Sequence, residues 1–181
     1  HVTVSPEQSR MTAFRGGRDY VPEGQYARLF VANTMMMSDT PYERRTNYQI
    51  VRRSTGRVLI AGYGLGMVLT AILKKPDVRD GVVVEKASDV VCLIDPAIRR
   101  HVGPKASRKL SILHADIFEA RSLVTGKFDA IYFDIWGDVS TDALAEMTTL
   151  TRRYRALKAS PDAFLDCWDR DWLRYRRRQG H

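Results

Sequence analysis

The hydrophobic positions of this chain fall into two kinds of stretch that take turns. One kind is short and nearly unbroken: Val58-Leu59-Ile60-Ala61, Gly81-Val82-Val83-Val84, Leu110-Ser111-Ile112-Leu113 and Ala130-Ile131-Tyr132-Phe133. Apolar runs without regular polar alternation fit strands buried on both faces, as in a parallel sheet covered by helices. The other kind repeats at helical spacing. Residues 67–75 read as a helix that ends before Pro76. Residues 87–102 read as a helix with Val90, Val91, Ile94 and Ile98 inward, which Pro96 is expected to bend or restart. Residues 141–158 form a long amphipathic pattern through Leu144, Met147, Leu150, Tyr154 and Leu157. Ala163-Phe164-Leu165-Asp166-Cys167-Trp168 is a candidate fifth strand. Strands alternating with helices predict an α/β fold, a Rossmann-like, doubly wound, mostly parallel sheet with helices on both faces.

The N-terminal third has a different texture. Residues 1–19 are polar and poor in pattern, so a loose arm is expected there. Residues 25–32 and 34–38 read as two short strands joined near Asn33, a small β-hairpin over 25–38. Its Met35-Met36-Met37 run reads as strand and core filling. A helix follows, with Thr40 as cap, Pro41 at its first position and Glu43 three residues after the cap, the pattern of a capping box. It draws apolar contacts from Tyr42, Tyr48, Ile50 and Val51 and ends at Thr55-Gly56. The expected organisation is one domain over 20–181, with a core at 57–168 and a basic tail at 169–181.

Candidate chemistry gathers at the ends of the strands. Gly62-Tyr63-Gly64-Leu65-Gly66 stands between the first core strand and its helix. Glycines at such a turn allow positive φ and let a ligand approach the backbone, although a tight turn without a ligand has the same pattern. A dinucleotide-binding turn needs G-x-G-x-x-G, and its third glycine would fall on Met67. Glu85 ends the second core strand, where a carboxylate can accept bonds from ribose hydroxyls; a surface acid at a strand end is the plainer alternative. Asp134 leaves the fourth strand at its carboxyl end, beside the crevice where ligands of open α/β sheets bind.

The G-x-G-x-G spacing resembles motif I of S-adenosylmethionine-dependent transferases. With aliphatic Ile60 two residues before the first glycine, it is closer to the spermidine-synthase-like branch of the methyltransferase superfamily. The N-terminal hairpin is a second trait of that branch, and the resemblance covers roughly residues 25–168. It implies S-adenosylmethionine as cofactor and small-molecule donor, held by Gly62, Gly64 and Gly66, with Glu85 on the ribose and Asp116 on the adenine amino group. It further implies that Asp134 accepts a substrate proton or orients the methionine amine, while Trp136 walls the pocket. Spermidine synthases carry an acid-Ser-x-acid-Pro segment here. This chain has Asp134 and then Asp138, with no Ser between them and no Pro after. The Asn/Asp-Pro-Pro-Tyr signature of adenine N6 and cytosine N4 methyltransferases is absent, as is the Pro-Cys pair of cytosine-C5 enzymes. The expected function is therefore an S-adenosylmethionine-dependent methyltransferase with an unnamed acceptor. A binding or regulatory module without turnover and an aminopropyltransferase remain as alternatives.

Composition alters this picture only in part. At 181 residues, 44% hydrophobic and 28% charged, the chain reads as an ordinary soluble globular domain. No apolar run approaches the ~20 residues of a membrane span, and the start carries no apolar signal region. Cys92 and Cys167 lack metal-ligand spacing, and Cys92 reads as a small core residue; together these features suggest a reducing, cytoplasmic setting. The net charge of +8 is compatible with nucleic acid, but no reading motif accompanies it. Basic residues cluster at Arg44, Arg45, Arg52 and Arg53, at Arg152, Arg153 and Arg155, and from Arg170 to Arg178, which reads as three helix faces and not one stripe. A sheet that stops at four or five strands leaves an edge open, so a homo-oligomer is expected.

Overall fold

The computed structural model describes residues 1–15, 20–31, 33–137 and 140–180. The stretch expected to be a loose arm carries secondary structure: β1 (Val2–Val4) pairs antiparallel with β2 (Gly24–Tyr26), and α1 (Pro6–Arg15) lies between them. The reason is local. Ser5 and Gln8 cap each other, with the Ser5 amide donating to Gln8 Oε1 at 2.9 Å and the Gln8 amide to Ser5 Oγ at 3.2 Å, while Pro6 fills the first helical position. The hairpin is formed by β3 (Arg28–Val31) and β4 (Thr34–Ser38), with Asn33 left-handed at φ 66° in the turn.

The helix expected after the hairpin is two helices, α2 (Pro41–Thr46) and α3 (Tyr48–Arg53). They meet at Asn47, whose amide and Nδ2 both donate to the Glu43 carbonyl at 3.2 and 3.1 Å. The expected capping box is not made. Thr40 Oγ1 lies 3.1 Å from Ser38 Oγ, and the Glu43 carboxyl is engaged by the Ser38 amide instead.

Five parallel strands follow: β5 (Gly56–Ala61), β6 (Val78–Glu85), β7 (Leu110–His114), β8 (Ala130–Phe133) and β9 (Phe164–Cys167), in the order β7-β6-β5-β8-β9. The chain steps outward from β5 through β6 to β7, then returns to the other side of β5 as β8. That reversal is the switch point at which such sheets open a crevice. Side chains along β5 alternate between two cores, as strand geometry requires. Val58 and Ile60 face Ile50, Leu69, Ile72 and Leu73, beneath α3, α4 (Met67–Leu73) and α5 (Ser88–Ser107). Leu59 and Ala61 face Met147, Leu150 and Tyr154 of α6 (Ala143–Tyr154) and Leu173 of α7 (Arg170–Arg178). The sheet is thus covered on both faces, and the basic tail is a helix that packs through its one fully buried leucine.

Two smaller expectations are corrected. Pro96 sits inside α5 without breaking it; the break falls at Gly103, where φ is 80° and glycine alone is at ease. Cys92 is exposed, whereas Cys167 is buried in the core. Among the described residues, no helix is long and apolar enough to cross a membrane.

Candidate cofactor site

The site begins where β5 ends. The Gly62 amide donates to the Val84 carbonyl at 2.9 Å, and the Asp134 amide to the Ala61 carbonyl at 2.8 Å, so the strand ends stay paired up to the turn. Gly62 has φ 93°, and a Cβ there would run into the backbone carbonyl of Asp134. A side chain is excluded for steric as well as conformational reasons. Gly66 is left-handed at φ 72° and caps α4; a Cβ on it would lie 2.5 Å from Ile98 Cδ1 of α5.

A cavity of about 150 Å³ opens at this switch point. Gly62 and Gly64 form its floor beside Glu85, Asp116, Asp134 and Trp136. Six of the seven residues named from the sequence therefore share one cavity. Gly66 lies outside the lining and acts in the packing of α4 on α5. Asp138 is outside the described residues.

The carboxylates on the β6 side are held by backbone. Glu85 accepts the Tyr63 amide on Oε2 and the Ala87 amide on Oε1, both at 2.8 Å, so it is locked across the glycine turn. Each oxygen keeps a further lone pair that a hydroxyl can use. Asp116 accepts the Phe118 amide on Oδ1 at 2.9 Å, while its Oδ2 lies 3.9 Å from Lys86 Nζ. Val90, Ile117 and Phe118 add apolar wall between these two acids. His114 takes no part: it is exposed, with Nε2 3.0 Å from the Lys86 carbonyl oxygen.

The β8 side is built differently. Burial, and next the charge of Glu43, push the Asp134 carboxyl up to about 8, against a stabilising hydrogen bond with Asn47. Burial also raises Glu43 to about 7, with the Ser38 amide opposing and the charge of Asp169 adding to the rise. Asn47 is buried, and its Oδ1 has no partner among the described residues. Asp169 accepts the Tyr42 hydroxyl at 2.8 Å. Sequence reasoning missed Glu43 and Asn47 in this role because their pattern suited a helix cap and a helix interior. Trp136 walls the cavity, with its indole N–H donating to Glu146 Oε2 at 2.8 Å.

The hairpin forms the roof. Met36 and Met37 line the cavity, and the Leu65 amide points at Met37 Sδ, 3.3 Å away. The methionine run is thus more than core filling, while Met35 beside it is exposed.

No protein-family model matches the chain, and no curated protein matches it by sequence. Solved structures do. The SAH-bound methyltransferase PaMTH1 of Podospora anserina is 16% identical at a TM-score of 0.53, over 73% of this chain and 53% of that one. A spermidine synthase in complex with the transition-state analogue AdoDATO is 17% identical at 0.50, over 82% and 53%. A precorrin 8w decarboxylase of Methanobacterium thermoautotrophicum is 14% identical at 0.50, over 67% and 60%. In each case the alignment spans between about half and three-fifths of the solved structure. The chain has the Rossmann-like fold of S-adenosylmethionine-dependent methyltransferases and of spermidine synthase.

Proposed function

We propose that this protein binds S-adenosylmethionine and transfers its methyl group, as a methyltransferase of the spermidine-synthase-like type. The observation that carries this reading is one cavity at the switch point holding Gly62, Gly64, Glu85, Asp116 and Asp134. Glu85 would receive the ribose hydroxyls on its remaining lone pairs, and Asp116 the adenine amino group, between the apolar walls of Val90, Ile117 and Phe118. When bound, the donor supplies an electrophilic methyl on a sulfonium. Asp134 would take the proton released by the attacking nucleophile, a contribution of about 10²–10⁴-fold for a positioned base. With its pKa near 8, the resting carboxyl is largely protonated at neutral pH, so the basic form and turnover should grow as pH rises toward 8.

The test is transfer of labelled methyl from S-adenosylmethionine, with products identified by mass spectrometry. Asp134→Asn should lower turnover at least about tenfold while donor affinity changes less than threefold, the pattern of an interaction made in the transition state. A collapse of donor affinity would make Asp134 a ligand of the methionine amine instead.

A binding module without turnover is the second reading, and one observation favours it. Met37 fills the space over the glycine turn, and the cavity is smaller than the ~300 Å³ at which small-molecule pockets usually begin. Donor binding with no transfer to any nucleophile would select this reading. An aminopropyl product in the same assay would select spermidine-synthase chemistry.

A further inference from the structure

Along the outer side of β9, the fold unites what the sequence keeps apart. Arg53 at the end of α3, Arg152 and Arg155 from α6 and the turn after it, Lys158, and Arg170 and Arg174 of α7 line one open depression of about 1230 Å³. The arginines among them come from all three basic clusters, which the sequence presents as separate helix faces. We propose that this depression binds the phosphodiester backbone of a nucleic acid, independently of the reaction in the cofactor site.

Lys127 and Lys158 donate to the Ala156 and Pro161 carbonyls, while the arginines keep most of their donors available. Arg152 and Arg155 are exposed and have no carboxylate within ion-pair distance among the described residues. The Arg53 guanidinium lies over the Phe164 ring, 5.0 Å from its centre, a cation–π contact that leaves its N–H donors available. Arg170 reaches Asp166 at 2.6 Å through Nη2, yet its buried Nε has no acceptor among the described residues. Arg174 lies 3.6 Å from Asp171, whose side chain is 88% exposed, so the pair is screened and weak. Of the two acids in the lining, Asp166 is already committed to Arg170 and to the Cys167 amide, which leaves Asp162.

The chemistry selects the occupant. Five of the seven cations in the lining, which also includes Lys127, are arginines, whose planar fork pairs with phosphate oxygens two at a time. They are spread along a sheet edge and a helix, so they suit a repeated anion better than a single phosphate. A lipid surface would also need apolar groups to insert, and Phe164 and Leu157 beside the depression are buried. The guarding of β9 by its own Asp166 and Arg170 also makes this short edge a poor template for another strand.

Fluorescence anisotropy of the full chain with a labelled 20-nucleotide single strand, and with the duplex of the same sequence, at a series of salt concentrations is the test. Binding to at least one probe should weaken linearly in log–log form with salt. The triple variant Arg152→Ala, Arg155→Ala, Arg174→Ala should bind at least about tenfold more weakly, with the slope reduced by about one per lost cation. The variant Arg100→Ala, Lys105→Ala, Arg108→Ala removes the same charge from exposed positions in and just after α5, and should stay within about threefold of wild type. Unchanged melting temperatures would exclude misfolding as the cause. Equal losses in both variants would reduce the effect to net charge and overturn the proposal. So would no binding of either probe at low salt, stronger binding to phosphatidylserine vesicles, or a dimer that the first triple variant dissociates without any oligonucleotide binding.

Discussion

On the β6 side of the cleft, carboxylates face the backbone; on the β8 side, they face one another. Glu85 and Asp116 each accept amide hydrogens from turns within a few residues of a strand end, and those bonds fix them as acceptors. Asp134 meets Glu43, brought from α2, and Asn47, from the break between α2 and α3. In the proposed reading, the first side would receive hydroxyl and amino groups on acceptors already fixed in place. The second holds protons that it can exchange, because burial and like charge favour the neutral carboxyl. In the proposed reading, recognition and proton transfer would therefore fall to opposite sides of the switch point.

The largest effect should come from the residue that joins the walls. Gly62→Ala introduces a Cβ against the Asp134 carbonyl at a left-handed position, and should destabilise the protein by about 3 kcal/mol or more in urea unfolding. A neutral substitution would mean that the β5 and β8 ends are not held together at this point. Glu85→Ala should come next. Charge-assisted bonds are worth about 1.5–3 kcal/mol, so donor affinity should fall roughly 10- to 150-fold while turnover at saturating donor survives. If turnover falls and affinity does not, the division of labour is reversed.

The β8 side should reveal itself through pH. Asp134 and Glu43 carry folded-state values raised from 3.8 to about 8 and from 4.5 to about 7, so the folded protein binds more protons than the unfolded chain in between. Their contribution is fully present below about pH 4 and is lost as pH rises through 7 and 8. Urea midpoints at pH 5 and pH 8 should therefore differ more in wild type than in Asp134→Asn. Equal pH dependence would show that Asp134 is not a raised acid. The smallest effect concerns the roof: Met37→Ala should speed donor association a few-fold with little change in stability, and slower association would make Met37 a contact of the bound donor.

The same contrast explains what was legible in the sequence. Buried runs such as Val58-Leu59-Ile60-Ala61 and the spacing of Gly62, Gly64 and Gly66 are short-range signals, and the parallel sheet follows from them. Glu85 was readable from its place at the end of a strand, and Asp116 through the family resemblance. Glu43 was visible only as a local cap, because nothing within four residues shows that α2 breaks at Asn47 and turns both toward Asp134. The Ser5-Gln8 capping box was readable yet hidden in a polar stretch without hydrophobic period. The convergence of Arg53, Arg155 and Arg174 is tertiary, and three runs of charge give no hint of it.

The most direct measurement is a calorimetric titration of the wild-type protein with S-adenosylhomocysteine, set against the same titration with a nicotinamide dinucleotide. One site per chain for the first and no binding of the second is the predicted result. Preference for the dinucleotide, or silence with both ligands, would contradict the assignment of this cavity.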